Sequence, residues 1–303
     1  MTIKQAKSFG KSELKSSPTP ELDTDVILQH IVGLDRTRLL LSRDLALTDG
    51  QEAQFLSSIE KRKTGFPVAY ITGHKEFFGY DFFVTPDVLI PKPDTERLVE
   101  LALDALEDKF RSAAEKCGQY SEFVASVCDM CAGSGCVGIS MAKTLTGSRK
   151  LNMTFADISG NALAVAKENC ARLLPYDYPV RFILSNLFEN VHQTFDLIVT
   201  NPPYVPHSEA RELLKDGRSE PLLALDGDVT EKGDPSGTDD GLFLIRRLVP
   251  QCYDHLSRNG ILIMETGEYN AEATAVLFEQ AGFRNVRIEF DMNNMMRDVT
   301  GLK

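Results

Sequence analysis

The 303-residue chain has no tryptophan, five histidines and six cysteines. None of its hydrophobic runs approaches the ~18 apolar residues a spanning helix needs, which excludes an integral helical membrane protein. Cys117, Cys128, Cys131, Cys136, Cys170 and Cys252 are scattered. A disulfide framework belongs to short, Cys-dense secreted domains, and this chain is neither short nor Cys-dense. Cys128, Cys131 and Cys136 lie close together, but no fourth ligand follows and Gly133, Ser134 and Gly135 interrupt them. Structural zinc wants four well-placed ligands, so reduced thiols and no metal are expected. The first residues lack the apolar core of a secretory signal, so a cytoplasmic location is expected. Residues 1–20 are rich in Lys and Ser, with Glu13 the only acid and no Arg to mark a transit peptide. A frayed, solvated start is expected there. Among the histidines His30, His74, His192, His207 and His255, none has a partner at catalytic spacing. His207, three residues beyond Tyr204, is at most a rim residue.

What is present is an ordinary globular balance, 43% hydrophobic and 25% charged. The length suggests about two domains. The formal net charge is -11. It is unevenly placed: residues 1–85 hold 11 basic and 11 acidic side chains, the remainder 22 and 33. All the excess acid therefore lies in the later, larger part. This argues against a domain that grips nucleic-acid phosphates over a wide surface.

Residues 24–63 read as helices, with Val26, Ile27, Ile31 and Leu34 at helical spacing and Asp23 or Thr24 as cap. Asp49 is the expected cap of a second helix, which Gly65 ends. Residues 75–84, KEFFGYDFFV, predict a β-hairpin. Ile90-Pro91-Lys92-Pro93 is extended, and Asp94 or Thr95 opens a helix to about Phe110. From about 122 strands and helices alternate. Strands are expected at 123–128, 151–156, 180–184, 195–200, 260–265, 284–290 and 297–302. Helices are expected at 136–145, 160–173, 239–256 and 270–281. The alternation predicts a mostly parallel sheet covered on both faces. Residues 205–240 are rich in Gly, Asp, Ser and Pro and predict a long loop, a candidate lid or partner surface. The expected domains are helical 1–74, a hairpin linker 75–90 and a catalytic 91–303.

Two constellations carry chemistry. The first, Val127-Cys128-Asp129-Met130-Cys131-Ala132-Gly133-Ser134-Gly135, follows a strand and opens a helix. Small residues there let a ligand approach the backbone, and the helix start supplies free N–H groups. Asp157 ends the next strand, 22 residues beyond Gly135. An acid at about this spacing suits a ribose diol, although it can also cap the helix near 160. No Gly-Lys-Ser/Thr follows, so the loop is not a P-loop; NAD and S-adenosylmethionine both remain open.

The second constellation is the buried strand FDLIVT running into Asn201-Pro202-Pro203-Tyr204. The prolines stiffen a turn at the carboxyl end of a strand, where open α/β sheets bind ligands. The Asn201 carboxamide and the Pro202 carbonyl can accept both hydrogens of a planar NH2 group, and the Tyr204 ring can pack on its plane.

NPPY after a strand, downstream of a Gly loop and an acid, resembles S-adenosylmethionine-dependent methyltransferases of planar nitrogens. Arg62, Pro67–Gly73, Phe77–Val84, Val88–Glu96, Ser219-Glu220-Pro221, Ala224-Leu225 and Asp240-Gly241-Leu242 narrow the resemblance. They are similar to the PrmC/HemK family, the peptide chain release factor glutamine N5-methyltransferases, over roughly residues 24–303. The resemblance implies a seven-stranded Rossmann-like methyltransferase domain, preceded by a helical domain that recognises substrate and a hairpin linker. It implies transfer from S-adenosylmethionine to the glutamine of a release factor's Gly-Gly-Gln loop, by a cytoplasmic monomer that requires no metal, nucleic acid or membrane. Cofactor contacts carry over to Cys131, Ala132, Gly133, Ser134, Gly135, Asp157, Asn186, Leu187 and Asn201. Substrate contacts carry over to Asn201, Pro202, Pro203 and Tyr204, with Asn201, Pro202 and Tyr204 catalytic. The chain departs from the family pattern at Cys131 for Gly, Lys92 for Arg, Asn186 for Asp and Thr266 for Ile, and residues 226–238 look inserted. The alternatives are an adenine-N6 or guanine-N2 nucleic-acid methyltransferase, and a catalytically silent binding module on the same fold.

Overall fold

The computed structural model describes residues 1–117, 123–145, 150–217 and 219–303. They form two compact units, Met1–His74 with Glu212–Ser219, and Lys75–Arg211 with Glu220–Lys303.

The first unit holds helices α1 (Ile3–Glu13), α2 (Pro20–Val32), α3 (Arg36–Leu41), α4 (Asp49–Lys63) and α5 (Val68–Thr72). The start of the chain is ordered helix, not a frayed tail. Ile3, Ala6 and Leu14 are fully buried with Ile27, Leu28, Phe55 and Ile59. Lysines on the other face of α1 hide this apolar stripe in a composition count. Thr2 and Gln5 close a capping box at its start. Gly10 lets α1 approach α2: a Cβ there would lie 2.5 Å from Thr24 Cγ2. The cap expected at Asp23 or Thr24 is displaced, because Pro20 starts α2 behind Thr19. Asp23 is instead buried inside the helix, where it accepts from Arg62 Nε at 2.7 Å and from the hydroxyls of Ser17 and Thr19. Thr48, not Asp49, caps α4, reciprocally with Gln51.

The second unit, from Lys75, opens within the hairpin of strands β1 (His74–Phe77) and β2 (Tyr80–Phe83). Phe77 and Phe82 sink into this unit's core beside Leu98, Val127, Phe155 and Leu197. Burying one such phenylalanine stabilises by about 1.5–3 kcal/mol. A turn at Pro93–Thr95 leads into α6 (Glu96–Cys117). Then come β3 (Val124–Met130), α7 (Cys136–Thr144), β4 (Lys150–Asp157), α8 (Gly160–Leu173), β5 (Val180–Leu184) and β6 (Phe195–Thr200). The expected long loop contains a short helix, α9 (His207–Leu213), and, among the described residues, 3₁₀ turns at Leu214–Asp216, which belongs to the first unit, and Leu222–Ala224. It is followed by α10 (Phe243–His255), β7 (Leu256–Glu265), α11 (Ala271–Ala281), β8 (Arg284–Phe290) and β9 (Met296–Leu302).

The seven strands β3–β9 lie in the order β5-β4-β3-β6-β7-β9-β8. The first five are mutually parallel, and β9 runs antiparallel to both its neighbours. Both faces are covered: Val127, Leu197 and Val199 belong to one apolar cluster, Cys128, Met130 and Ile198 to another. That explains the unbroken apolar runs of β3 and β6. The order reverses between β3 and β6, since β4 lies on one side of β3 and β6 on the other. At such a switch point the loops leaving the carboxyl ends diverge and leave a crevice.

Candidate active site

A pocket in the second unit opens at that crevice. One end is the loop after β3. Cys131, Ala132, Gly133 and Ser134 line it, with Asp157, Asn186 and Leu187 opposite. Cys131 has φ +60° and Leu187 φ +50°. Left-handed backbone is costly for residues with a Cβ and gathers at functional sites. Gly133, at φ +53°, has nothing within 4 Å of a built Cβ, so its backbone is open to a ligand. Gly135 is not on the lining. It caps α7 at φ +76°, where a Cβ would lie 3.0 Å from Ile139 Cδ1 and 3.2 Å from Ala166 Cβ. Its role is helix packing. Asn169, fully buried, donates to the carbonyls of Ser134 and Phe83 and accepts from Phe83 N, so it ties the loop to the hairpin.

Asp157 does not cap α8; Ser159 does. One Asp157 oxygen accepts from Gly133 N and the other from Ser159 N, each at 2.9 Å. These bonds aim the carboxylate, and each oxygen keeps a lone pair for a hydroxyl. Burial raises its pKa, and the backbone N–H groups oppose that. Asn186 donates through Nδ2 to Glu189 at 2.7 Å, which leaves its amide oxygen as acceptor for an amino group.

Asp129, the penultimate residue of β3, lies within the first sequence constellation, which gave it no role of its own. It lines the pocket and accepts from Gly138 N at 2.9 Å. Burial pushes its carboxyl up to about 8. A buried acid facing a pocket suits a cationic group on the ligand. The open Gly133 backbone, the Asp157 carboxylate on the lining and this acid fit a ligand such as S-adenosylmethionine, which carries a ribose, an amino group and a sulfonium. Cys128 is buried close by and Cys136, half-buried, lines the pocket; desolvation pushes the Cys128 thiol well up and the Cys136 thiol up to about 12, which disfavours a nucleophilic thiolate at either.

The other end of the pocket is the turn after β6. Asn201 and Pro203 line it, Pro202 is buried, and Tyr204 is turned toward Glu265. Asn201 Nδ2 donates to Thr95 Oγ1 at 3.2 Å, and the Tyr204 hydroxyl donates to Glu265 Oε1 at 3.1 Å. The Tyr204 carbonyl accepts from Asn270 Nδ2 at 3.0 Å and from the Tyr269 hydroxyl at 3.3 Å. Gly241 lies against that carbonyl: a Cβ would come within 1.9 Å of it. Burial, then the nearby Glu265 charge, pushes the Tyr204 phenol well up, so it stays neutral.

The departures have local answers. Lys92 Nζ still reaches Glu220 at 2.7 Å, with the Glu220 side chain almost fully buried. Residues 226–241 are folded around Asp228, which accepts from Gly241 N, Phe243 N and the Thr238 hydroxyl. Val229, Thr230 and Glu231 from that segment line the pocket. His207 pairs through Nδ1 with Asp226 at 2.6 Å.

Comparison with known proteins agrees with this geometry. A family model described as the PrmC N-terminal domain matches residues 5–73, and one described as a methyltransferase small domain matches residues 119–221. The fold is that of an S-adenosylmethionine-dependent methyltransferase. The release factor glutamine methyltransferase of Koribacter versatilis is 32% identical over 308 residues, 100% of this chain and 99% of its own length. Those of Leptospira interrogans, at 32% with 98% and 95% coverage, and Moorella thermoacetica, at 34% with 95% and 94%, match similarly. The chain belongs to the release factor glutamine methyltransferase family.

Proposed function

We propose that this chain methylates the side-chain amide nitrogen of the glutamine in a release factor's Gly-Gly-Gln loop, and that Asn201, Pro202 and Tyr204 orient that amide. The observation that carries the reading is the Asn201–Thr95 bond. It occupies the amide nitrogen of Asn201 and leaves its oxygen to accept from a substrate NH2.

A carboxamide nitrogen is a poor nucleophile, because its lone pair is delocalised into the carbonyl. S-adenosylmethionine, when bound, supplies an activated methyl on a sulfonium. The protein adds orientation and electrostatics. Asn201 Oδ1 and the Pro202 carbonyl accept the two amide hydrogens and aim the nitrogen at the methyl. They also favour the positive charge that builds on it. Tyr204 gives an aromatic face for the amide plane. After transfer the nitrogen loses one proton to water. Asp157 holds the ribose hydroxyls, Asn186 and Leu187 the adenine, and residues 131–134 the rest of the cofactor. The acidic charge of the later part supports a protein substrate without a nucleic-acid component. A substrate that acts in translation supports a cytoplasmic location.

The turn can recognise an amide but has few groups with which to tell one protein from another. We assign that selection to the helical unit. An intact release factor should then be methylated with much higher kcat/KM than a short Gly-Gly-Gln peptide.

The test is transfer of labelled methyl from S-adenosylmethionine to a purified release factor. A Gln→Ala release factor and an RNA and DNA mixture serve as controls. Label on the release factor, lost with the Gln→Ala change, is expected. Label on nucleic acid, or on the Gln→Ala protein at the same rate, would overturn the proposal.

A further inference from the structure

The segment that departs from the family pattern after Asp226 is folded, and it reaches the pocket. Asp228, fully buried, closes its base: the carboxylate accepts from the Thr238 hydroxyl at 2.8 Å, from Gly241 N at 2.6 Å and from Phe243 N at 3.3 Å. Phe243 opens α10, so the same carboxylate sits at a helix start, where negative charge is favoured. Above this base Thr230 N donates to the Asp234 carbonyl, Ser236 N donates to the Asp228 carbonyl, and Val229 bridges to Pro235. These bonds make the segment a small hairpin rather than an open loop.

Its place is fixed on two sides. Gly227 N donates to the carbonyl of Val205, the residue after Tyr204, and the Gly227 carbonyl accepts from Leu244 N. Farther along α10 the Gln251 side chain accepts from Phe188 N at 3.3 Å, next to Leu187. The hairpin and α10 therefore run between the catalytic turn and the wall of Asn186 and Leu187. Val229, Thr230 and Glu231 line the pocket from the hairpin, Leu244 and Arg247 from α10. The Arg247 guanidinium lies over the Phe243 ring, and its Nη1 is 4.0 Å from Glu231 Oε2. This ion pair ties the hairpin to the helix at the lining.

We propose that residues 228–239 are a strap over the adenosine part of the bound cofactor, with Val229 and Leu244 as its apolar cover and the Glu231–Arg247 pair as its latch. A purine presents flat, weakly polar faces, and such a cover suits them. The strap sets how fast the cofactor and its demethylated product leave, a step that often limits turnover. The inference rests on the reading of this pocket as the S-adenosylmethionine site.

The experiment uses the full-length chain and labelled S-adenosylhomocysteine, which lacks the sulfonium charge, so that added charges on the protein do not act on a cationic ligand centre. Dissociation is followed after a chase with unlabelled ligand, and KM for an intact release factor is measured alongside. Glu231→Lys sets like charges against each other and should speed dissociation by about three- to tenfold, the scale of reversing an exposed ion pair. Arg247→Glu should do the same. The Glu231→Lys/Arg247→Glu double variant restores the attraction and should return to within about twofold of the wild type. Replacing residues 230–236 by two glycines should speed dissociation at least about tenfold, with KM for the release factor within about twofold. A wild-type dissociation rate in the shortened chain overturns the inference and leaves the proposed function standing. So does a raised KM with unchanged dissociation, which would make the hairpin a contact for the protein substrate. Failure of S-adenosylhomocysteine to bind the wild-type chain overturns the reading beneath it. If the shortened chain does not fold, the charge swap decides: a double variant as fast as either single variant overturns the inference.

Discussion

The two ends of the pocket are built differently. At the end proposed for the cofactor, backbone does most of the holding. Gly133 N and Ser159 N aim Asp157, and left-handed Cys131 and Leu187 shape the wall. At the amide end, side chains from Thr95, Glu265, Tyr269 and Asn270 hold a turn that could not fix its own side chains. A cofactor presents many groups and is gripped along its length. An amide presents one small plane, so its recognition depends on how firmly two acceptors are aimed. Damage at the first end should therefore weaken binding, and damage at the second should slow turnover.

The largest expected effect is at the amide end. Asn201→Ala should lower kcat by about 10²–10³-fold, the loss of one preorganised electrostatic contact. Steady-state rates at saturating cofactor and release factor check this.

Asp157→Ala tests the other end. It removes an acceptor of hydroxyl bonds and the anchor of Gly133 N. S-adenosylmethionine binding should weaken by about 1.5–3 kcal/mol, the range for hydrogen bonds to a charged group. Calorimetry on the folded variant reads this directly. An unchanged affinity would remove Asp157 from the site.

Gly241→Ala sharpens the contrast without touching either ligand. Gly241 has φ +71°, and its Cβ would sit 1.9 Å from the Tyr204 carbonyl, so the backbone of the turn must shift. Turnover should fall by about tenfold while cofactor affinity changes little. Circular dichroism and calorimetry on the same sample separate that outcome from unfolding.

The smallest effect concerns protons. Asp129 is pushed up to about 8 by burial, so in the free protein it is mostly protonated near pH 7. A cationic amino group bound beside it lowers that pKa. Binding should then release close to one proton near pH 7, and affinity should rise with pH up to about 8. Stability of the free protein runs the other way. With the folded pKa above the unfolded one, the contribution of Asp129 is greatest below about 4 and is lost as pH rises toward 8. Calorimetry in buffers of different ionisation enthalpy measures the proton. In Asp129→Asn the release should vanish.

What could be read from the residues follows the same division. The Gly loop, Asp157 and the NPPY turn are local patterns, with their chemistry contained in a few consecutive residues. The strands were legible because β3 and β6 are buried on both faces and read as apolar runs. Local composition misled at the start of the chain, where the lysines of α1 concealed the stripe of Ile3, Ala6 and Leu14. It misled again at α2, where Pro20 set the first turn and left Asp23 to pair with Arg62. The polar segment after Tyr204 concealed α9 and the hub at Asp228. Thr95 and Glu265 were out of reach for another reason. They stand 106 and 61 positions from the residues they hold, and only the sheet topology brings them there.

The most direct test of this division is a single-turnover experiment with cofactor bound in advance. Asp157→Ala and Asn201→Ala are each loaded with S-adenosylmethionine at concentrations that saturate them, then mixed with excess release factor. The account predicts that loaded Asp157→Ala transfers its methyl at close to the wild-type rate, while loaded Asn201→Ala stays about 10²–10³-fold slower. Equal slowing of the two loaded variants, or a wild-type rate in loaded Asn201→Ala, would contradict it.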